Sequence, residues 1–268
     1  MLTHLTRSEK SLLLACLALL LAAFLGPHLA QPAHAHDFAD QRSLGVLPCA
    51  LDVLSNLSFA LAGAFGLLVL WRVPTSALDV TQQATAFLFF VGLLLTAAGS
   101  TWYHLAPDDA GLAIDRAGMS VAFAGLMGLL AAARISPRSG TALAGALMVL
   151  APASVLVWLQ SGNLLPWALV QFGGMGLLLW ILATTRAAAG AVRVRWAGVL
   201  LLYALAKLFE VQDHAVYAAT GELFSGHTVK HVIAAFAAWP VIDALRRQAQ
   251  RQNGPRPAAM SDESRSLA

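Results

Sequence analysis

Long apolar runs separated by short polar breaks make up almost the whole chain. Eight runs can be marked, at about 11–30, 50–71, 84–105, 115–134, 140–159, 164–185, 195–218 and 227–246. Each has the roughly 20 residues that an α-helix needs to cross the hydrocarbon core of a bilayer. The pattern predicts an all-α, polytopic membrane protein: a seven-transmembrane-helix bundle preceded by an N-terminal signal or anchor segment. In that first segment Arg7 and Lys10 precede the apolar stretch, and Ala33-His34-Ala35 follows it in the manner of a signal-peptidase site. A cleaved signal peptide and a retained anchor fit these features equally. The expected plan is a signal or anchor over 1–35, a seven-helix domain over 36–246, and a disordered cytoplasmic tail over 247–268. The tail rests on its charges, its serines, Pro255 and Pro257.

Basic residues orient the bundle. Arg72, Arg134, Arg138, Arg186, Arg193, Arg195, Arg246, Arg247 and Arg251 fall at every second end, together with Arg7 and Lys10. The other ends carry mainly Arg42, Arg116 and Lys230. By the positive-inside rule the first set is cytoplasmic, which makes the C-terminus cytoplasmic in a multi-pass cell-membrane protein. Loops 31–49, 105–114, 160–163 and 219–226 then face outward, to the periplasm or the exterior.

Of the 268 residues, 58% are apolar and 12% charged, against about a quarter charged in soluble domains. The net charge of +3 therefore reports topology and gives no reason to expect a nucleic-acid partner. Cys16 and Cys49 are too few for a disulfide framework and are read as unpaired.

Polar chemistry gathers on the outward side. "GSTWYHLAPDDAGLAID" at 99–115 closes one run and opens the next, and "SGHTVKH" at 225–231 opens the last. His227 and His231 are spaced i, i+4 and so share one face of a helix. Two such imidazoles, joined by His104 from another helix, can bind one Zn²⁺ and leave a fourth position open, where a water would have a pKa near 7. Three polar residues at helix ends near an interface is the plainer reading of the same histidines.

Ser100 lies one turn before His104 on the same face. It can donate to an oxyanion beside a metal, or bond back to the carbonyl four residues earlier. Asp115 can act as a base toward a metal-activated water, or cap the helix that it opens. Ser225 reads as a cap, and Asp108 and Asp109 as solvated turn residues. Ser55 and Asn56 suit interhelical hydrogen bonds. Lys207, Glu210 and Asp213 should face the interior, with Lys207 and Glu210 paired and Asp213 a candidate to orient an imidazole. His28, His34 and His36 read as linker residues or as a second metal patch.

The order Ser100-x3-His104, Asp115, His227-x3-His231 resembles the alkaline ceramidase family, within a superfamily of seven-helix membrane hydrolases that includes the progestin and adiponectin receptors. "HDFADQR", "LDVLSNLSF", "YHLAPDD", "IDRAGM" and "SGHTVKHVIAA" extend the likeness over nearly the whole core, and some look particularly like its bacterial branch. The resemblance implies zinc held by His104, His227 and His231, water activated beside Asp115, and Ser100 at the carbonyl oxygen. It implies hydrolysis of the amide joining a fatty acyl chain to ceramide or a related N-acylated amino-lipid. It also implies Ca²⁺ near the N-terminal stretch, but Cys49 stands where the animal members carry a calcium-binding glutamate. Asp37, Asp40 and Asp52 are the remaining candidates for that ion.

Two other classes compete with the enzyme. A ligand-sensing protein of the receptor branch would keep the zinc without turnover. A transporter built on Lys207, Glu210 and Asp213 would predict inverted repeats, and the sequence shows no internal symmetry. Oligomeric state is not legible.

Overall fold

The computed structural model describes residues 5–253, and these are helical apart from loops and two isolated bridges, Ala30 to Asn163 and Leu44 to Leu47. Helix α1 (Arg7–Leu25) starts at a capping box between Thr6 and Glu9. The Glu9 carboxylate also accepts from Ser136 Oγ at 2.8 Å and from Arg138 at 2.7 Å. Farther along, Leu29 bonds to Asn163 Oδ1 and to the Leu164 amide. The N-terminal segment is thus held to the bundle on both sides of α1.

Helices α2 (Ala50–Ser55) and α3 (Leu57–Trp71) form one span with a step at Asn56. There follow α4 (Val80–Leu105), α5 (Asp109–Arg134) and α6 (Pro137–Ser161). The next span joins α7 (Leu165–Ala168), a π-helical turn over Leu169–Gly173, and α8 (Gly174–Thr184). Helices α9 (Trp196–Val211), α10 (Asp213–Ala219), α11 (Gly226–Phe236) and α12 (Trp239–Asn253) complete the described residues.

Among the described residues, seven helical segments are long and apolar enough to cross a membrane, including α1 and the combined Gly226–Arg251. The run at 195–218 is not one of these seven. It breaks at Gln212, leaving α9 and α10 as two short pieces. The all-α bundle is therefore α1, six full spans and one broken span, in a multi-pass membrane protein. At the other end of the chain, helix continues past residue 246 to Asn253. There Arg247 pairs with Asp243, and Gln248 donates to the carbonyls of Ala77 and Gly190. The rest of the expected tail, 254–268, lies outside the described residues.

The core is built around α5, where every residue from Ala122 to Ala133 is buried. A helix that is apolar all round belongs at a bundle's centre. Its neighbour α4 comes close enough that a Cβ at Gly92 would overlap the backbone of Ala122, and one at Gly125 the backbone of Phe89. Small residues at such crossings let membrane helices approach. Gly92→Leu is expected to cost at least the ~1–3 kcal/mol typical of overpacking and to lower the melting temperature in detergent. Gly145→Leu, where a Cβ would meet nothing, should leave it unchanged.

Candidate metal centre

Helix α4 carries Ser100 and His104 in its last two turns, both buried at 1% and 0% exposure. Helix α11 begins at Ser225, whose hydroxyl accepts from the Thr228 amide at 2.9 Å. The His227 amide donates to Asp213 Oδ1 at 2.7 Å. Gly226 makes that approach possible, since a Cβ there would overlap the Phe209 carbonyl. So α11 enters with its first amides paired, and with His227 and His231 aimed at α4.

The three imidazoles meet. Each of His104, His227 and His231 offers one nitrogen, and these lie within 4.8 Å of one another, all in buried side chains. The Nε2 atoms of His104 and His227 are 3.1 Å apart. Two nitrogens on one tetrahedral zinc stand about 3.3 Å apart, from Zn–N distances near 2.0–2.1 Å. His231 is the most informative of the three. Its Nδ1 is 2.7 Å from Ser55 Oγ, and Ser55 Oγ lies 2.8 Å from the carbonyl of Asp52. A carbonyl only accepts, so the single hydroxyl proton goes to Asp52, and His231 must donate from Nδ1. Its Nε2 is then a bare lone pair, the form that binds a metal. The donor set fits one metal ion, with neutral imidazoles as ligands.

Ser55→Ala would release that tautomer. Loss of such a supporting bond costs about 10–100-fold in metal affinity, which competition against a chromogenic chelator would measure. An unchanged affinity would mean that packing alone orients His231.

Ser100 Oγ and Asp115 Oδ1 are buried and have no hydrogen-bond partner among the described residues. That contradicts the back-bonded reading of Ser100. The contrast within the molecule is direct: Thr96 bonds back to Gly92, Thr85 to Thr81 and Ser120 to Arg116. The cap reading of Asp115 also falls. Helix α5 starts at Asp108, whose carboxylate accepts from the Gly111 amide at 2.6 Å, and Asp115 sits well inside the helix. Asp108 and Asp109 are accordingly not free turn residues. Asp109 receives His36 Nε2 at 3.1 Å and the Gln31 amide at 3.3 Å. The backbone of Asp115 stands against the turn that carries Ser100: a Cβ on Gly99 would be 2.9 Å from Ile114 O and 3.1 Å from Asp115 Cα.

The N-terminal stretch lies over this site. The Phe38 ring packs on His104 and His227 at centroid distances of 4.6 and 4.5 Å. His36 Nδ1 is 2.8 Å from the Tyr103 hydroxyl, so His36 is docked on α4 and α5 instead of pairing with His28 or His34. Arg116, stacked over Trp158 at 4.0 Å, donates to Gln31 at 2.8 Å. The Ala39 amide donates to Asp213 Oδ2 at 2.9 Å. Asp213 thereby clamps the stretch to the start of α11 through two backbone amides and orients no imidazole.

The acidic candidates for calcium are dispersed in use. Asp40 is held by Arg42 through both oxygens at 2.8 Å, and that guanidinium keeps its carboxyl below the usual range. Asp52, fully buried, accepts from Thr228 Oγ1 at 2.6 Å and Ser225 Oγ at 3.3 Å. Asp37 is exposed. They share no common ligand position among the described residues. Cys49 and Cys16 are both free thiols.

On the α9 side, Glu210 bridges two lysines. It takes Lys207 Nζ at 2.6 Å, the expected pair, and Lys230 Nζ at 2.7 Å, a partner that sequence spacing did not assign. No family model matches the chain, and no curated protein matches it significantly; the histidine group stands on its geometry alone.

Proposed function

We propose that the protein is a zinc-dependent membrane amidase that hydrolyses the N-acyl bond of ceramide or a related N-acylated amino-lipid, releasing a fatty acid and a free amine. One observation carries the reading: the buried three-histidine group has, one turn before His104 on α4, a serine hydroxyl, and on the adjoining turn of α5 an aspartate oxygen, neither with a partner among the described residues. Buried polar atoms are almost always paired, and leaving one unpaired costs about 1–3 kcal/mol. Two such atoms on adjoining turns, at the end of α4 that carries a candidate ligand, suit reacting atoms that the folded chain itself does not supply.

Zinc bound by His104, His227 and His231 would supply Lewis acidity, polarising a carbonyl and acidifying water to near neutrality. Asp115 is suited to take the proton of the attacking water and return it to the leaving nitrogen. Ser100 donates its free O–H to the oxygen on which negative charge develops. Phe38 covers two of the imidazoles, which limits access of bulk water from that end. The acyl chain can stay in the bilayer throughout. From the arginine pattern, the site opens to the outer face.

The test is paired, on detergent-purified protein: metal content by elemental analysis, and fatty-acid release from a panel of ceramides and N-acyl amino-lipids. About one zinc per chain with hydrolysis supports the amidase. Zinc with no hydrolysis on any panel member overturns turnover in favour of the ligand-sensing alternative, and absence of any metal overturns both.

A further inference from the structure

The Lys207–Glu210–Lys230 group has no part in the chemistry above. It nevertheless lies at the depth of the metal centre, since Lys230 immediately precedes His231 and one helical residue rises 1.5 Å. Both oxygens of Glu210 are engaged, one by each lysine. Two ammonium groups share one carboxylate, and the next acid within electrostatic range of both is Asp115. Among the described residues neither lysine has another acidic partner within ion-pair distance, Asp115 included. Each ammonium has three donors, of which one is committed to Glu210. Ionisable groups inside a membrane bundle are costly unless paired and are suspects for ligand contact.

A second observation points to a ligand at the same place. Tyr203, one turn before Lys207 on the same face of α9, has a buried hydroxyl with no partner among the described residues. Its ring packs edge-on against Phe123 of α5. The lysines remain partly accessible, at 27% and 19% of their side chains, and Lys207 Nζ lies 6.0 Å from the ring of Phe172 on the facing π-helical turn.

We propose that Lys207, Lys230 and Tyr203 form a headgroup subsite for an anionic group, carboxylate or phosphate, on the amine side of the N-acyl lipid. Glu210 holds the two ammonium groups together. The inference rests on the amidase reading for its substrate and narrows it to acidic N-acyl amino-lipids over neutral ones. Lysine suits the task, because it presents a compact charge with rotatable donors.

Binding of non-cleavable ureas to the purified, metal-loaded protein tests this apart from turnover. The probes are N-dodecylcarbamoyl-glycine, its neutral ethyl ester, and N-dodecylcarbamoyl-O-phosphoethanolamine, titrated calorimetrically. At least one anion should bind about tenfold or more tighter than the ester, the worth of one charge-assisted hydrogen bond. Whichever anion binds tighter identifies the headgroup. Lys207→Gln and Lys230→Gln should each reduce the ratio severalfold, and Glu210→Gln, which removes the countercharge, should preserve or raise it. Equal affinities of wild type for all three probes would overturn the subsite whether or not the variants fold, as would a ratio unchanged in both lysine variants. Failure of N-dodecanoyl-glycine and of every other amide to be cleaved would strike the amidase reading instead, leaving the binding ratio to decide this one.

Discussion

His227→Ala is expected to empty the metal centre: metal content should fall from about one ion per chain to near none, and amide hydrolysis to background. His227 and His104 bring their Nε2 atoms to 3.1 Å, so removing one leaves at most two of three ligands and a gap on the metal's flank. The backbone contacts that start α11 use the His227 amide and the Ser225 hydroxyl and survive the substitution, so the fold should persist. Stability should still change through linkage. A ligand present at a thousand times its dissociation constant stabilises the folded state by about 4 kcal/mol, and the variant forfeits that increment. Melting curves with and without a chelator would therefore coincide for His227→Ala and separate for wild type. His214→Ala, an exposed histidine at the same end of the bundle, is the control and should behave as wild type. Undiminished metal content in His227→Ala would remove this residue from the ligand set.

How much of this was legible follows from where each feature gets its physics. Lipid leaves no water to pair an open backbone, so a spanning chain must be helical over its whole apolar run; the run lengths alone therefore gave the bundle. Breaks inside runs are invisible to that logic. Gln212 interrupts the 195–218 run at the point where Asp213 turns to clamp Ala39, 174 positions away, and His227, 14 positions away. The apolar pattern starts α5 six residues late because its first turns are polar, although Asp108 as cap with Asp109 in the first turn is a helix-start signal. That error made Asp115 look like a cap. The i, i+4 histidine pair was legible because both members sit on one helix. The third ligand needed topology, which the alternation of arginines supplied. Ser100 could not be decided from sequence, since the same i−4 carbonyl is available to every serine in a helix, and only packing determines whether it is used. Phe38 over the imidazoles and Lys230 on Glu210 were missed because nothing local marks them. A lysine one position before a candidate ligand histidine, opposite a helix that carries a glutamate, is the signal that was available.

Asp115→Asn should separate binding from chemistry more cleanly than any change at the histidines. The amide keeps the shape of the carboxylate and removes its capacity to take a proton. Asp115 is not among the three residues grouped so that they could hold one ion, so metal content should stay at the wild-type value. Its Oδ1 has no partner among the described residues to lose, so the melting temperature should move little. The backbone contact with Gly99 is unaffected by a side chain of the same size. Turnover is a different matter. A positioned base contributes about 10²–10⁴-fold, and kcat on an N-acyl lipid should drop by that order with KM nearly constant, the signature of an interaction made in the transition state. Ser100→Ala should also spare the metal and lower kcat by about 10²–10³, the usual effect of removing one oxyanion donor. Since both groups serve one step, the double variant should lose less than the product of the two single effects. If Asp115→Asn loses its metal, the carboxylate is a ligand. If it turns over at the wild-type rate, the proton passes through another group and Asp115 is not the base.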